Sequence, residues 1–391
     1  MILMKRFVLS FTLFLFLSEL SGQSITGLNF RHWYNPQNEV NLQLDLARGQ
    51  NQLIVNYVLR TTQFPADQYS LTWERRDSYV VRDGASITES DSTTRPVGNE
   101  KSGQLSFPIP EKPWILLAKV THLQSQKNWY YFKLMEGIYP KRGWIESKNG
   151  VLSENFLRSG KDYTIKSCDQ KTMFVSFYKT ASFYQPYPPF SEKSAPVERF
   201  LFHDSTFRLE NNATFSVKRE GLYLFQQDTN AADGFALRVV PENFPKYSKV
   251  QELVSPLIFV TTPDEFKQLA AADNEKPKFD KVILDITRDK DRAKNFMRSY
   301  FKRVEIANQY FSSFKEGWKM DRGMIYTVFG VPDELSKNGG NEVWNYKSAN
   351  VRFTFVKSGS VYDPDNYVLL RDKRFMEPWF STIDLWRKSR F

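Results

Sequence analysis

The chain has 391 residues, a formal charge of +10, 41% hydrophobic and 25% charged residues, a balance that excludes wholesale disorder and leaves enough apolar material for the cores of two or three domains. A single cysteine, Cys168, excludes an internal disulfide framework and leaves no thiol near the N-terminus to carry a lipid, so the chain is not expected to be a lipoprotein. The basic excess is dispersed with no long basic run, which points away from nucleic acid and towards a soluble surface with a modest positive excess or anionic envelope partners.

Residues 1–24 have the pattern of a secretory signal peptide: Lys5 and Arg6, an apolar run from Phe7 to Leu17, then Ser21, Gly22 and Ser24 as small residues for cleavage somewhere in 21–24. The run is too short to cross a bilayer, which takes about 20 apolar residues. No later stretch has that character, so no transmembrane span is expected after cleavage. The expected address is exported: periplasmic, outer-membrane-associated or secreted.

Residues 25–140 are expected to form a first antiparallel β-sandwich-like domain. Val40, Leu42, Leu44 and Leu46 alternate with polar residues, the period of a half-buried strand. Arg48-Gly49-Gln50-Asn51 makes a turn into a return strand over Leu53 to Leu59. Further strands are expected at Tyr69 to Trp73, Gln104 to Ile109, Trp114 to His122 and Trp129 to Leu134, with a long polar loop from Asp83 to Ser102. The high aromatic content, 33 Phe, 19 Tyr and 9 Trp, suits such pleated surfaces.

A second sandwich-like domain is expected over residues 141–260. Its strands fall near Thr172 to Tyr178, Thr206 to Leu209, Ala213 to Val217, Leu222 to Gln226 and Phe235 to Val240. The Tyr184 to Phe190 segment, with three prolines, reads as an extended packed loop, with a proline-rich ligand as the alternative. Cys168 reads as a small buried hydrophobe, with an intermolecular disulfide as the alternative.

Near Thr261 the pattern turns helical, opening a third domain over 261–391. Thr262-Pro263-Asp264-Glu265 is a capping box with proline at the first helical position. A longer helix is predicted over Arg288 to Ser312, where Phe296, Tyr300, Val304, Ala307 and Phe311 share one face. Asp321 is the expected N-cap of a short helix carrying Met324, Ile325, Val328 and Phe329, although its β-branched content also permits a strand. Gly330 and Pro332 end that element. Glu342 to Tyr346, Val351 to Val356 and Asn366 to Leu370 read as a small antiparallel sheet. Trp379 and Trp386 are placed to pack back on an earlier domain.

This third region resembles the GWxTD domain, found in exported proteins of Bacteroidetes and their relatives, over about Thr262 to Phe380. The resemblance rests on Gly317, Trp318, Asp321, Arg322 and Gly323, on Tyr326 followed by Gly330, Pro332 and Asp333, and on Trp344 and Tyr346 in a sheet strand. One departure stands out: Met320 occupies the position of the family's threonine. The resemblance implies an envelope or secreted location and brings no established activity, so these signature residues are expected to be structural. The fold class is thus mainly β, two antiparallel sandwich-like domains followed by an α+β domain.

Catalytic, metal and cofactor signatures are missing from the sequence. His32, His122 and His203 are far apart, no His-x-x-x-His or cysteine pair offers zinc ligands, and no phosphate-cradling glycine loop or Gly-x-Ser-x-Gly elbow occurs. Catalytic residues, metal and cofactor are therefore all expected to be none. Asp321, Asp333, Glu334 and Glu342 supply the alternative, an envelope glycan or peptide hydrolase or lyase built on paired carboxylates. Asp363-Pro364-Asp365-Asn366 could ligate calcium but reads as a turn. Trp318, Tyr326, Trp344 and Tyr346 form either a binding platform or a core. The leading expectation is a non-enzymatic envelope protein that binds protein or glycan partners.

Overall fold

A computed structural model describes residues 23–88, 96–179, 183–193 and 201–390. The expected signal segment up to Gly22, the middle of the expected loop after Asp83, and Phe391 lie outside them.

The first unit is a sandwich of two sheets. Strands β1 (Val40–Arg48), β2 (Gln52–Thr61) and β5 (Glu100–Pro108) form one sheet in the order β1-β2-β5. The other has the order β4-β3-β6-β7, from β3 (Tyr69–Arg76), β4 (Ala85–Ile87), β6 (Trp114–His122) and β7 (Asn128–Met135). The alternation read in β1 places Val40, Leu42 and Leu46 in the core between the sheets, against Tyr57, Trp73, Leu116 and Trp129. The expected long loop contains β4, whose short and mostly exposed Ala-Ser-Ile gives no periodic signal.

Strand β6 does not alternate, because both of its faces are covered. Trp114, Leu116, Ala118 and Val120 face the sandwich core, while Ile115 and Leu117 belong to the core of the C-terminal region. A near-continuous apolar run is what such a doubly buried strand requires.

The second unit is also two sheets. One has the order β14-β11-β8-β9, from β8 (Gly143–Ser147), β9 (Gly150–Val151), β11 (Asp162–Ser167) and β14 (Thr214–Ser216). The other has the order β10-β16-β15-β12-β13, from β10 (Phe156–Arg158), β12 (Met173–Tyr178), β13 (Ser205–Leu209), β15 (Gly221–Gln226) and β16 (Phe235–Val240). All pairings are antiparallel except β10 with β16. Cys168 packs beside Ala47, Ile54 and Trp144 where the two sandwiches meet, and burial pushes its thiol up to about 12, with the Asp169 charge adding to the effect.

Helix begins earlier than the sequence suggests, at α1 (Val250–Val254). It is followed by α2 (Pro263–Ala270), α3 (Lys276–Thr287), α4 (Lys290–Phe311) and α5 (Asp321–Phe329). The capping box is present as read: Glu265 N donates to Thr262 Oγ1, and Thr262 N donates to Glu265 Oε2 at 2.8 Å. The long helix predicted from Arg288 to Ser312 is α4, and α3 ahead of it is a helix not expected from the sequence. Arg288 adopts a left-handed conformation at the break, and Asp289 caps α4 by accepting from Arg292 N.

The closing sheet has the order β17-β18-β19-β20, from β17 (Glu334–Asn338), β18 (Asn341–Tyr346), β19 (Val351–Lys357) and β20 (Tyr367–Leu369). Helix α6 (Met376–Arg387) returns along the helical layer. Trp386 Nε1 donates to Val328 O at 2.9 Å, and Trp379 meets Phe259 and Phe329. These tryptophans therefore seal their own domain; no earlier sandwich receives them. The Tyr184 to Phe190 segment packs along the same region, with Arg371 donating to Tyr187 O, Asp372 N donating to Pro189 O, and Phe190 against Phe380.

Among the described residues, no helix is long and apolar enough to cross a membrane.

Candidate functional site

The signature residues gather where the C-terminus of α4, the turn Gly317–Lys319, α5 and β18 meet. Two glycines set the closeness of that meeting. A Cβ on Gly317 would stand 2.0 Å from Ala307 O, and one on Gly323 would stand 1.7 Å from Gly317 O. Backbone thus lies directly on backbone, and no other residue fits. The turn is then pinned by side chains of α4 and its cap: Gly317 N donates to Ser312 Oγ at 3.0 Å and Trp318 N to Asn308 Oδ1 at 3.2 Å.

Both signature indoles point inward, with Trp318 2% and Trp344 0% exposed. Each has a partner for its one polar atom, as a buried indole needs. Trp318 Nε1 donates to Tyr247 Oη at 3.0 Å, and Trp344 Nε1 to Glu342 Oε1 at 2.7 Å. Tyr326 Oη donates to Tyr34 O, and Tyr346 Oη to Gly330 O at 2.7 Å. Gly330 takes φ +85°, a conformation that favours glycine, and the Arg303 guanidinium lies where a Cβ would be. Pro332 is buried beside it. The four aromatic residues thus form a core.

Asp321 departs from its expected role. The N-cap of α5 is Met320, which makes no side-chain cap bond, and Asp321 is the first helical residue. Its carboxylate instead accepts from Leu369 N at 2.8 Å and pairs with Arg371 at 2.7 Å, tying α5 to β20. Met320, at the family's threonine position, is buried in the main apolar cluster. Asp333 behaves as a turn residue, accepting from Lys347 N at 2.7 Å.

The strongest electrostatic feature is Glu342, fully buried on β18. It pairs with Lys337 Nζ at 2.6 Å and Arg322 Nη1 at 3.5 Å, and accepts from Tyr34 Oη at 3.3 Å. Burial alone would raise its carboxyl, but Lys337 and Arg322 hold it below the usual range. Burial, and then the Glu342 charge, push the Tyr34 phenol up to about 12. Arg322 also donates to Tyr34 Oη at 3.0 Å and lies over the Tyr367 ring.

The four candidate carboxylates each have their own partner: Asp321 has Arg371, Asp333 an amide, Glu334 has Lys347 at 2.6 Å, and Glu342 has Lys337. Asp365 of the candidate calcium turn is held by Lys133 at 2.5 Å and Lys357 at 3.2 Å. Burial would raise its carboxyl, and the two lysines hold it low. Among the described residues, no group of His, Cys, Asp or Glu side chains is arranged to hold a metal ion.

Asn29, Phe30 and Tyr34 complete this cluster from about 300 residues away, a contact that no local pattern signals. Lys337 was equally hidden, lying in a strand too polar to be read as one.

A family model for the GWxTD domain matches residues 221–388. The chain carries a GWxTD domain. The match starts at β15, so it takes in the last two strands of the second sandwich as well as the helices and closing sheet. No curated protein matches the chain. Among solved structures it is similar to a red sea bream transglutaminase, at 11% identity over 51% of this chain and 31% of that one, with a TM-score of 0.17. It is also similar to the native conformation of E. coli alpha-2-macroglobulin, at 10% identity over 71% of this chain and 26% of that one, with a TM-score of 0.17. The chain spans less than a third of either protein, and likenesses this weak carry no argument about fold or function.

Proposed function

We propose that this GWxTD protein is an exported, non-enzymatic component of the cell envelope that binds protein or glycan partners through outward surfaces of its sandwiches. The observation that carries this reading is the internal use of the signature's chemistry. The indole N–H groups of Trp318 and Trp344, the phenols of Tyr326 and Tyr346, and the carboxylates of Asp321, Asp333 and Glu342 all bond within the chain. Groups committed in this way serve to fix a frame. The signal-like N-terminus supports export, and the dispersed +10 charge suits anionic envelope surroundings.

In vivo crosslinking of envelope fractions followed by mass spectrometry tests the reading. A specific set of envelope partners, crosslinked through sandwich residues and kept in an Asp321→Asn variant, is the expected result. Glycan or peptide cleavage by the purified protein that Asp321→Asn abolishes while the fold survives would replace it with the hydrolase alternative.

A further inference from the structure

The GWxTD domain contains a filled groove, and its occupant comes from the other end of the chain. One wall is the outer edge of β17, the strand at the margin of the closing sheet. Phe30 N donates to Leu335 O at 2.8 Å, and Leu335 N donates to Asn29 Oδ1 at 3.0 Å. Asn29 Nδ2 donates to Asp333 O at 3.3 Å. Asn29 and Phe30 thus satisfy both backbone groups of Leu335, as an added strand would. Five residues beyond Asn29, Tyr34 fills a pocket walled by Phe311 and Trp344, at ring-centroid distances of 4.9 and 5.5 Å.

The pocket floor selects a phenol. Tyr34 Oη accepts from Arg322 and donates to the buried Glu342 carboxylate, and Tyr34 O accepts from Tyr326 Oη. A phenylalanine there would leave Glu342 short of a donor and Arg322 short of an acceptor. Edge and pocket together read the pattern Asn-Phe, three residues, Tyr.

Groove and occupant are separate pieces of chain. Every groove residue named lies within the matched region 221–388, and the occupant lies outside it. The occupant consists of two short 3-10 turns, Ile25–Gly27 and Arg31–Tyr34, joined to β1 through exposed Pro36 and Gln37.

We propose that the GWxTD domain is a peptide-binding module, with the sheet edge at Leu335 and the Arg322–Glu342 pocket as its site, and that residues 25–34 of the same chain are its resident ligand. The inference does not depend on the compartment or partners proposed above.

The test uses the full chain with a protease recognition sequence inserted between Pro36 and Gln37. After cutting, the peptide ending at Pro36 is expected to co-elute with the folded body on size exclusion. In a chain carrying Asn29→Ala and Tyr34→Ala, the fraction retained should fall at least tenfold after the same cut. Because both substitutions lie in the released piece, the groove itself is unaltered. Loss of the unsubstituted peptide on cutting, whether or not the body stays folded, would overturn the proposal, and so would equal retention of the substituted one.

Discussion

At Gly323 a single hydrogen atom decides whether α5 can sit on the Gly317–Lys319 turn. A methyl group at that position would meet the Gly317 carbonyl at 1.7 Å, and that contact is backbone, which cannot swing aside. Gly323→Ala is therefore expected to lose about 2–4 kcal/mol of unfolding free energy, at the upper end of overpacking effects, measured as a lower urea midpoint at unchanged slope. His32 is the residue whose protonation matters most near neutral pH. Burial lowers its imidazole to about 4, against the opposing hydrogen bond to the Tyr130 carbonyl. Around it lie that carbonyl and the rings of Phe30 and Tyr131. The unfolded chain takes up this proton near pH 6.5 and the folded chain does not, so stability is complete above 6.5 and falls as pH drops towards 4. Urea unfolding at pH 7.5 and pH 5 should differ by about 2 kcal/mol from this group, with stability lower at pH 5. His32→Asn, which keeps a donor for the Tyr130 carbonyl, should flatten that slope. Below about pH 4.5, protonation of Glu342 removes further stability, because its folded carboxyl is held low by Lys337 and Arg322.

At the scale of elements, the local signals were legible wherever local chemistry decides. The Thr262 capping box folds as written, and Thr262→Ala should cost about 1 kcal/mol, read as a lower unfolding midpoint with unchanged secondary structure. The β1–β2 hairpin and the stripe of α4 from Phe296 to Phe311 also follow from period and turn chemistry. What escaped has a physical cause in each case. Strand β17, Glu-Leu-Ser-Lys-Asn, buries only Leu335 and Lys337, and the lysine is admitted because Glu342 lies opposite. Helix α3 starts after Glu275, which makes no side-chain cap bond, so no capping signal marks its start. Asp321 looked like a cap because an aspartate before an apolar helix usually is one. Arg371, fifty residues later, claims its carboxylate instead.

Across the whole molecule, the largest apolar cluster ignores the boundaries that the sequence suggests. It joins Ile25, Phe30 and Tyr34 from the N-terminal segment, Ile115 and Leu117 from the outer face of β6, and the GWxTD helices and sheet. Charge pairs cross the same junctions: Lys133 to Asp365 and Arg238 to Glu316. No local pattern reports contacts separated by 200 to 300 residues, so the family signature could be recognised from sequence but its closing partner could not. The signature tryptophans Trp318 and Trp344 are interior supports of this frame. Oxidative footprinting with mass spectrometry on the folded protein measures that directly. Trp318 and Trp344 should remain unmodified while exposed Phe380 and Tyr184 react, and should become reactive only after denaturation. Modification of Trp318 and Trp344 in the native protein at the rate of those exposed rings would contradict it.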